Sequence, residues 1–343
     1  MNKINSSIAP DFPVGKATRP ISCAFILVPG FSFLDLAAAV APLAATNRIC
    51  GRTVYDYNVY SVHGGPVESA NGSLSSVDGA LADIRSDARC FILSFDDPWA
   101  HIDTALSNWL RHRERHENAL LGCIGTSAVA VIEAGVLRRR PFTVHWSIQA
   151  AFEERYPDLV RASSIFTEVS GLVTCAGGQS TSDMMMSLVA RDTHDRVSLK
   201  VADFLLGQAP RPPDTPQRLS ASVRYNTRNP MFLSVVQAID ENRIEGLTVD
   251  ELVERFGISR RQIERTFNSI TGMPPTQFIK RKRLEKARDL LNQTNMSVMD
   301  VAIATGFGSV ANFSKSFTRQ YGVRPSQCIK SQFSADAVTN RTQ

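Results

Sequence analysis

Between residues 21 and 206, short continuous apolar runs alternate with longer stretches whose apolar positions recur every three or four residues. "ISCAFILVPG", "YDYNVYSVHG", "ARCFILSF" and "ALLGCIG" read as buried strands. "FLDLAAAVAPLAATNRI", "HIDTALSNWLRHRERHENA" and "TSAVAVIEAGVL" read as helices. "LVTCAGGQ" followed by "STSDMMMSLVARD" adds another strand, turn and helix. Such alternation predicts an α/β domain over 21–206, a flavodoxin-like parallel sheet with helices on both faces. "GQAPRPPDTPQRLSA" has no period and much proline, which makes 207–228 a linker. From 229 to 331 only the helical period remains, predicting a separate all-α domain. Residues 1–20 read as a loose arm and 332–343 as a tail.

The helical part repeats itself. "LTVDELVERFGISRRQIERTF" at 247–267 answers "MSVMDVAIATGFGSVANFSKSF" at 296–317. Leu252 and Gly257 match Val301 and Gly306 at an offset of 49; Ile263 and Phe267 match Phe313 and Phe317 at 50. The one-residue slip falls in the turn. Each copy reads as helix, glycine-containing turn, serine N-cap and second helix, hence two helix-turn-helix motifs. Charge supports a nucleic-acid partner. Up to Val223 the chain carries 20 Lys+Arg and 22 Asp+Glu; from Arg224 on it carries 18 and 11. The basic excess therefore belongs to the repeat and points to double-stranded DNA.

In such a motif the second helix enters the major groove and its first residues meet base edges. With Ile263 and Phe267 facing inward, the first copy presents Ser259, Arg260, Arg261, Gln262, Glu264 and Arg265. Arg and Gln are the side chains that bond guanine and adenine bidentately. The second copy presents Ser309, Val310, Ala311, Asn312, Ser314 and Lys315, a smaller surface suited to shape-dependent readout. The intervening "FIKRKRLEKARDLL" is a connecting helix with its stripe at Leu284, Ala287 and Leu291. Its basic residues form a solvated face, and Lys282 can at most reach a phosphate.

Apolar residues make up 43% of the chain, enough for real cores, and no run approaches the roughly 18 a membrane span needs. The first twenty residues lack the apolar segment of a secretory signal. Six widely spaced cysteines, several inside apolar runs, suit a reducing cytoplasm.

"ALLGCIGTSAVAVIEAG" raises the possibility of catalysis. Strand, tight turn and helix form the shape of a nucleophile elbow, and Cys123 lies beside it. Trp99 and Trp146 fall at the ends of strands, where open α/β sheets bind ligands. An aromatic face there can hold a cation, with Asp96 or Asp97 adding charge, and Phe33 can line the same pocket. His112 and His116 are spaced like a metal pair but lack a third ligand, so no metal or cofactor is expected.

"LTVDELVERFGISRRQIERTF", "RLEKARDLL" and "SVMDVAIATGFGSVANFSKSFTRQYGVRPSQ" resemble the AraC/XylS family of transcription regulators over roughly 229–331. That resemblance implies two recognition helices in successive major grooves, roughly 34 Å apart. "VPGFSFLDLAAAVAPLAATNR", "GGPVESANG", "GTSAVAVIEAGVLRRRPFTVHW" and "TCAGGQSTSDMMM" resemble the class I glutamine amidotransferase-like superfamily, in its intracellular-protease-related branch. More closely they resemble the sensor domains of bacterial regulators of glycine betaine, carnitine or arginine catabolism. The resemblance places Gly125 where the catalytic branch has cysteine, with Thr126 beside it. His145 falls on the superfamily's histidine and Ala41 on its acidic position. It therefore implies a domain without catalytic residues. Such a domain would bind a quaternary amine or amino-acid-like inducer in the pocket, pair as a homodimer, and activate catabolic genes through RNA polymerase. The rival reading is an amidase or hydrolase with a DNA-binding tail.

Overall fold

The computed structural model describes residues 19–116, 119–136, 141–159, 161–241 and 246–328. They form two compact units. One runs to Trp146 and resumes over Asp158–Gln217; the other comprises Ser147–Pro157 and the chain from Arg218.

The first unit is built on strands β1 (Ile21–Leu27), β2 (Tyr55–Ser61), β5 (Gly79–Ala80), β6 (Arg89–Ser94), β7 (Leu121–Gly125), β8 (Phe166–Val169) and β9 (Leu172–Cys175). A small antiparallel pair, β3 (Val67–Glu68) and β4 (Leu74–Ser75), stands apart. The sheet order is β5-β2-β1-β6-β7-β9-β8, all parallel except the edge strand β8. Its centre is the doubly wound arrangement expected from the alternating pattern. Side chains alternate between faces. Cys23, Phe25 and Leu27 of β1 and Phe91 and Leu93 of β6 share one core with helices α1 (Phe33–Cys50), α5 (Gln179–Asp192) and α6 (Asp195–Phe204). Ala24, Ile26, Cys90 and Ile92 are buried on the other face, the side of helices α2 (Thr104–His116) and α3 (Ala128–Glu133). Met184, Met185 and Met186 of α5 are core residues. Helix α1 is long and apolar enough to cross a membrane, but Ala39, Leu43 and Ile49 are spent on this core.

Residues 207–217, read as part of a linker, are strapped to this unit. Pro216 bridges Ser164, and Ile165 N donates to Thr215 O at 2.9 Å. The Arg211 guanidinium meets the buried Asp183 carboxylate at 2.6 and 2.9 Å, and Arg211 N adds a third bond at 2.9 Å. Prolines remove donors without preventing these side-chain and carbonyl contacts.

The second unit is helical: α4 (Gln149–Arg155), α7 (Ala221–Arg224), α8 (Pro230–Glu241), α9 (Val249–Phe256), α10 (Arg260–Thr271), α11 (Pro275–Gln293), α12 (Val298–Ala304) and α13 (Val310–Tyr321). It has two cores. Phe232, Val235, Leu252, Ile263 and Phe267 form the first; Leu290, Val301, Phe313 and Phe317 belong to the second. Helix α11 serves both, through Phe278 and Ile279 at one end and Leu284, Ala287 and Leu291 at the other. The segment 147–157, expected within the α/β domain, packs here instead. Ala150 lies on the second core, and Ser147 O accepts from Gln293 Nε2 at 2.9 Å.

Candidate nucleic-acid interface and elbow site

The two helix-turn-helix motifs are α9–α10 and α12–α13. Each first helix opens with a reciprocal capping box, Thr248 with Glu251 and Ser297 with Asp300. The turn after α9 uses Gly257 at φ +61°, where a Cβ would be strained, and Gly306 at φ +73° does the same after α12. Ser259 and Ser309 then cap the second helices, each hydroxyl accepting a backbone N–H three residues on, at 3.2 Å. With the caps fixed, Ile263 and Phe267, and Phe313 and Phe317, are fully buried. The remaining faces point outward.

On α10, Ser259, Arg260, Arg261, Gln262 and Arg265 are exposed and Glu264 is half-buried. Arg260 is already engaged: its guanidinium meets Asp250 at 2.8 Å and Glu264 at 3.4 Å. Arg261 and Arg265 enter no ion pair among the described residues and are the available cations of this head. On α13, Ser309, Val310, Ala311, Asn312 and Lys315 are exposed and Ser314 is half-buried. Lys282 departs from expectation. Its side chain is 13% exposed, held between Asp240 at 3.8 Å and Glu285 at 3.3 Å, so it neutralises acids within the unit. Sequence reasoning missed Arg283. It donates to Leu247 O at 3.0 Å and Gly306 O at 3.2 Å, bonding the entry of the first motif and the turn of the second.

In the α/β unit the elbow is where β7 ends. Gly125 sits at φ +76°, and a Cβ there would lie 2.2 Å from Ser94 O. The conformation would strain a side chain, and the Ser94 carbonyl leaves no space for one. Thr126, fully buried, donates from its N–H to the same Ser94 O at 2.9 Å, and its hydroxyl reaches Ser94 Oγ at 3.1 Å and Asp96 O at 3.4 Å. His145 N donates to Gly125 O at 3.1 Å. Burial pushes its imidazole below the usual range, favouring the neutral form. Its ring lies 5.6 Å from Phe95 and 5.5 Å from the half-exposed Trp146, forming an aromatic row beside the elbow. Phe95 was not anticipated, although it directly follows the strand end. Asp96 packs against Gly30, and burial raises its carboxyl. Phe33 opens α1 with its ring 4.9 Å from Phe31. Trp99 is half-buried on a turn organised by Asp97, whose carboxylate accepts Trp99 N at 3.0 Å.

The acidic position expected at Ala41 is corrected. Ala41 lies in the body of α1, and the carboxylate at the elbow is that of Asp35, in the helix's first turn. Asp35 is 1% exposed. One oxygen accepts from Gly178 N and, at 3.4 Å, from Thr181 Oγ1, capping α5 from outside its own chain segment. The other has no hydrogen-bond partner and packs against Gly125 and Gly177. Burial pushes this carboxyl up to about 6 against those two bonds. Cys123 lies on the strand face opposite Ile124, fully buried. Burial pushes its thiol up to about 12, the reverse of an activated nucleophile. No group of three His, Cys, Asp or Glu suited to a metal occurs among the described residues, and the side chain of His116 lies outside them.

Two capped helix-turn-helix units on one shared helix, with a basic outward face, define a two-headed DNA-binding regulator. A family model described as a helix-turn-helix domain matches residues 252–331. The HTH-type transcriptional regulator CdhR of Pseudomonas aeruginosa is 36% identical over 304 residues, 88% of this chain and 90% of that protein. GlxA of Rhizobium meliloti, also an HTH-type transcriptional regulator, is 31% identical over 305 residues, 88% and 93% of the two chains. The chain belongs to the AraC family of transcriptional regulators. Among solved structures, a THiJ/PfpI family protein from Pseudomonas syringae has a TM-score of 0.49 at 16% identity, covering 65% of this chain and 87% of that one.

Proposed function

We propose that this regulator senses a small nitrogen-containing metabolite, a quaternary amine or amino-acid-like molecule, in an α/β domain that no longer performs chemistry. Binding shifts the balance between activating and non-activating states in proportion to the ligand's differential affinity for them. The regulator works in the cytoplasm as a homodimer and activates catabolic genes through RNA polymerase. The observation that carries this reading is the elbow: Gly125 supplies no nucleophile and the Ser94 carbonyl occupies the space of one. Phe33, Asp96, Trp99, Thr126, His145 and Trp146 are the apolar, aromatic and polar groups we assign to the ligand. Arg261, Gln262, Arg265, Asn312 and Lys315 are the groups we assign to DNA.

The test is a thermal-shift screen of the full chain against quaternary amines and amino acids, followed by transcription from a bound operator with and without each hit. Trp146→Ala and Trp99→Ala are expected to weaken the response while operator affinity without ligand is kept. Unchanged responses in both variants would remove the ligand from this place. Amide hydrolysis by the purified chain would favour the rival enzyme.

A further inference from the structure

A concavity opens at the carboxyl edge of the sheet, where β1 and β2 end. This cleft, of about 570 Å³, contains no elbow residue. Its size suits a small metabolite. Leu27, Val28 and Val67 lie nearly inaccessible beneath its floor, whose apolar surface comes from the half-buried Val62 and Ile102. The chain passes from β1 to β2 on one side and reaches β6 on the other, so the cleft adjoins the point where strand order reverses. Ligands of open α/β sheets collect outside the carboxyl ends at that point.

The rim sets the ligand's charge. His63 Nε2 and Asp103 Oδ2 meet at 2.8 Å, joining the loop after β2 to the start of α2. Asp103 is committed, because its other oxygen caps α2 through Ala105 N at 2.6 Å. Glu68 also lines the cleft, and its carboxylate enters no ion pair among the described residues. Among the described residues no Lys or Arg lines the cleft, so an anion meets the uncompensated Glu68 carboxylate. No described Phe, Tyr or Trp lines it either, so a quaternary ammonium finds no aromatic face among them. An ammonium with N–H groups can instead donate to Glu68 while its carbon chain covers the floor.

We propose that this cleft binds a small protonated primary amine with an apolar chain, its nitrogen on Glu68 and its carbons against Val62 and Ile102. This rests on reading the α/β unit as a sensor and names a ligand class and a subsite for it.

The experiment is calorimetric titration of the full chain with n-hexylamine, hexyltrimethylammonium and hexanoate. Hexylamine is expected to bind more tightly than either of the others. Glu68→Gln is expected to weaken it by about fivefold, the range for an exposed ion pair. Ala100→Trp, at an exposed lining position, is expected to abolish it by filling the cleft. Equal binding of hexyltrimethylammonium, or no detectable binding of hexylamine, overturns the proposal. Loss of hexylamine binding in Trp146→Ala with Glu68→Gln unaffected places the amine at the elbow, which overturns the subsite and leaves the sensor reading standing.

Discussion

Arg283→Met isolates what holds the two reading heads at a fixed spacing. Arg283 is half-buried on α11 and donates to Leu247 O and Gly306 O. Leu247 immediately precedes the capping Thr248 of the first head; Gly306 is the turn glycine of the second. Methionine keeps the apolar stem and removes every donor, leaving both carbonyls short of a partner. A hydrogen bond from a charged donor contributes about 1.5–3 kcal/mol. Two of them in a half-buried site put the loss of stability at about 2–4 kcal/mol. Helix α11 still joins the cores through its apolar residues, so the unit remains folded. Its heads lose their fixed separation, and binding of the second head then gains less from binding of the first. DNA carrying both boxes one helical turn apart is expected to bind about tenfold more weakly, and DNA carrying only the first box within about twofold of wild type. The assay is fluorescence anisotropy on both DNAs at two salt concentrations. An equal loss on both, with the salt slope reduced by about one, would make Arg283 a phosphate contact and refute the argument.

Cys123→Ala is expected to cost about 1 kcal/mol in urea unfolding and to leave operator binding intact, and the native thiol to resist alkylation. Asp35 binds its proton more tightly folded than unfolded, so its contribution is present below about pH 4 and lost as pH rises through about 6. That slope amounts to about 3 kcal/mol, and Asp35→Asn, which mimics the protonated form, is expected to flatten it in urea midpoints from pH 4 to 8. Arg261→Ala is expected to cost about 1–3 kcal/mol and relax one base position in an operator-library selection, Arg260→Ala to cost less because its guanidinium is already paired, and Asn312→Ala to relax a base in the second box.

The most legible strands were those buried on both faces, whereas β2, also read as buried, is half-exposed over Tyr57–Tyr60. "SCAFIL" and "RCFILS" are continuous apolar runs because parallel strands are covered on each side. Strands β3, β4 and β5 are two residues each, too short to carry a period. The reading heads were legible because glycine turns and serine caps are local devices. Arg283 was not, because its partners lie 36 and 23 residues away and only the tertiary fold supplies them. The strap was misread for a related reason. Its lack of period reflects bonds made sideways to Asp183 and Ser163, which no spacing along 207–217 encodes. Asp35 was missed by alignment on the wrong helical turn: at Ala41 a side chain projects from the helix body, while the first turn faces the carboxyl edge of the sheet.

The elbow is closed by its backbone as much as by its side chains. A nucleophile needs a Cβ directed into open space and a base to take its proton. Here the Ser94 carbonyl stands where that Cβ would go, and the N–H of Thr126 holds it there at 2.9 Å. Each remaining polar group has other work. Neutral His145 lies edge-on to Phe95 in an aromatic row, and its backbone N–H goes to Gly125 O. Asp35 spends one oxygen capping α5, and its other, beside Gly125 and Gly177, has no hydrogen-bond partner and nothing to deprotonate. Cys123, two residues before the turn, points to the opposite side of the sheet from Ile124, with its thiol far from ionisation at neutral pH. A side chain at this elbow would require moving the Ser94 carbonyl, which ends β6 and is held by the N–H of Thr126.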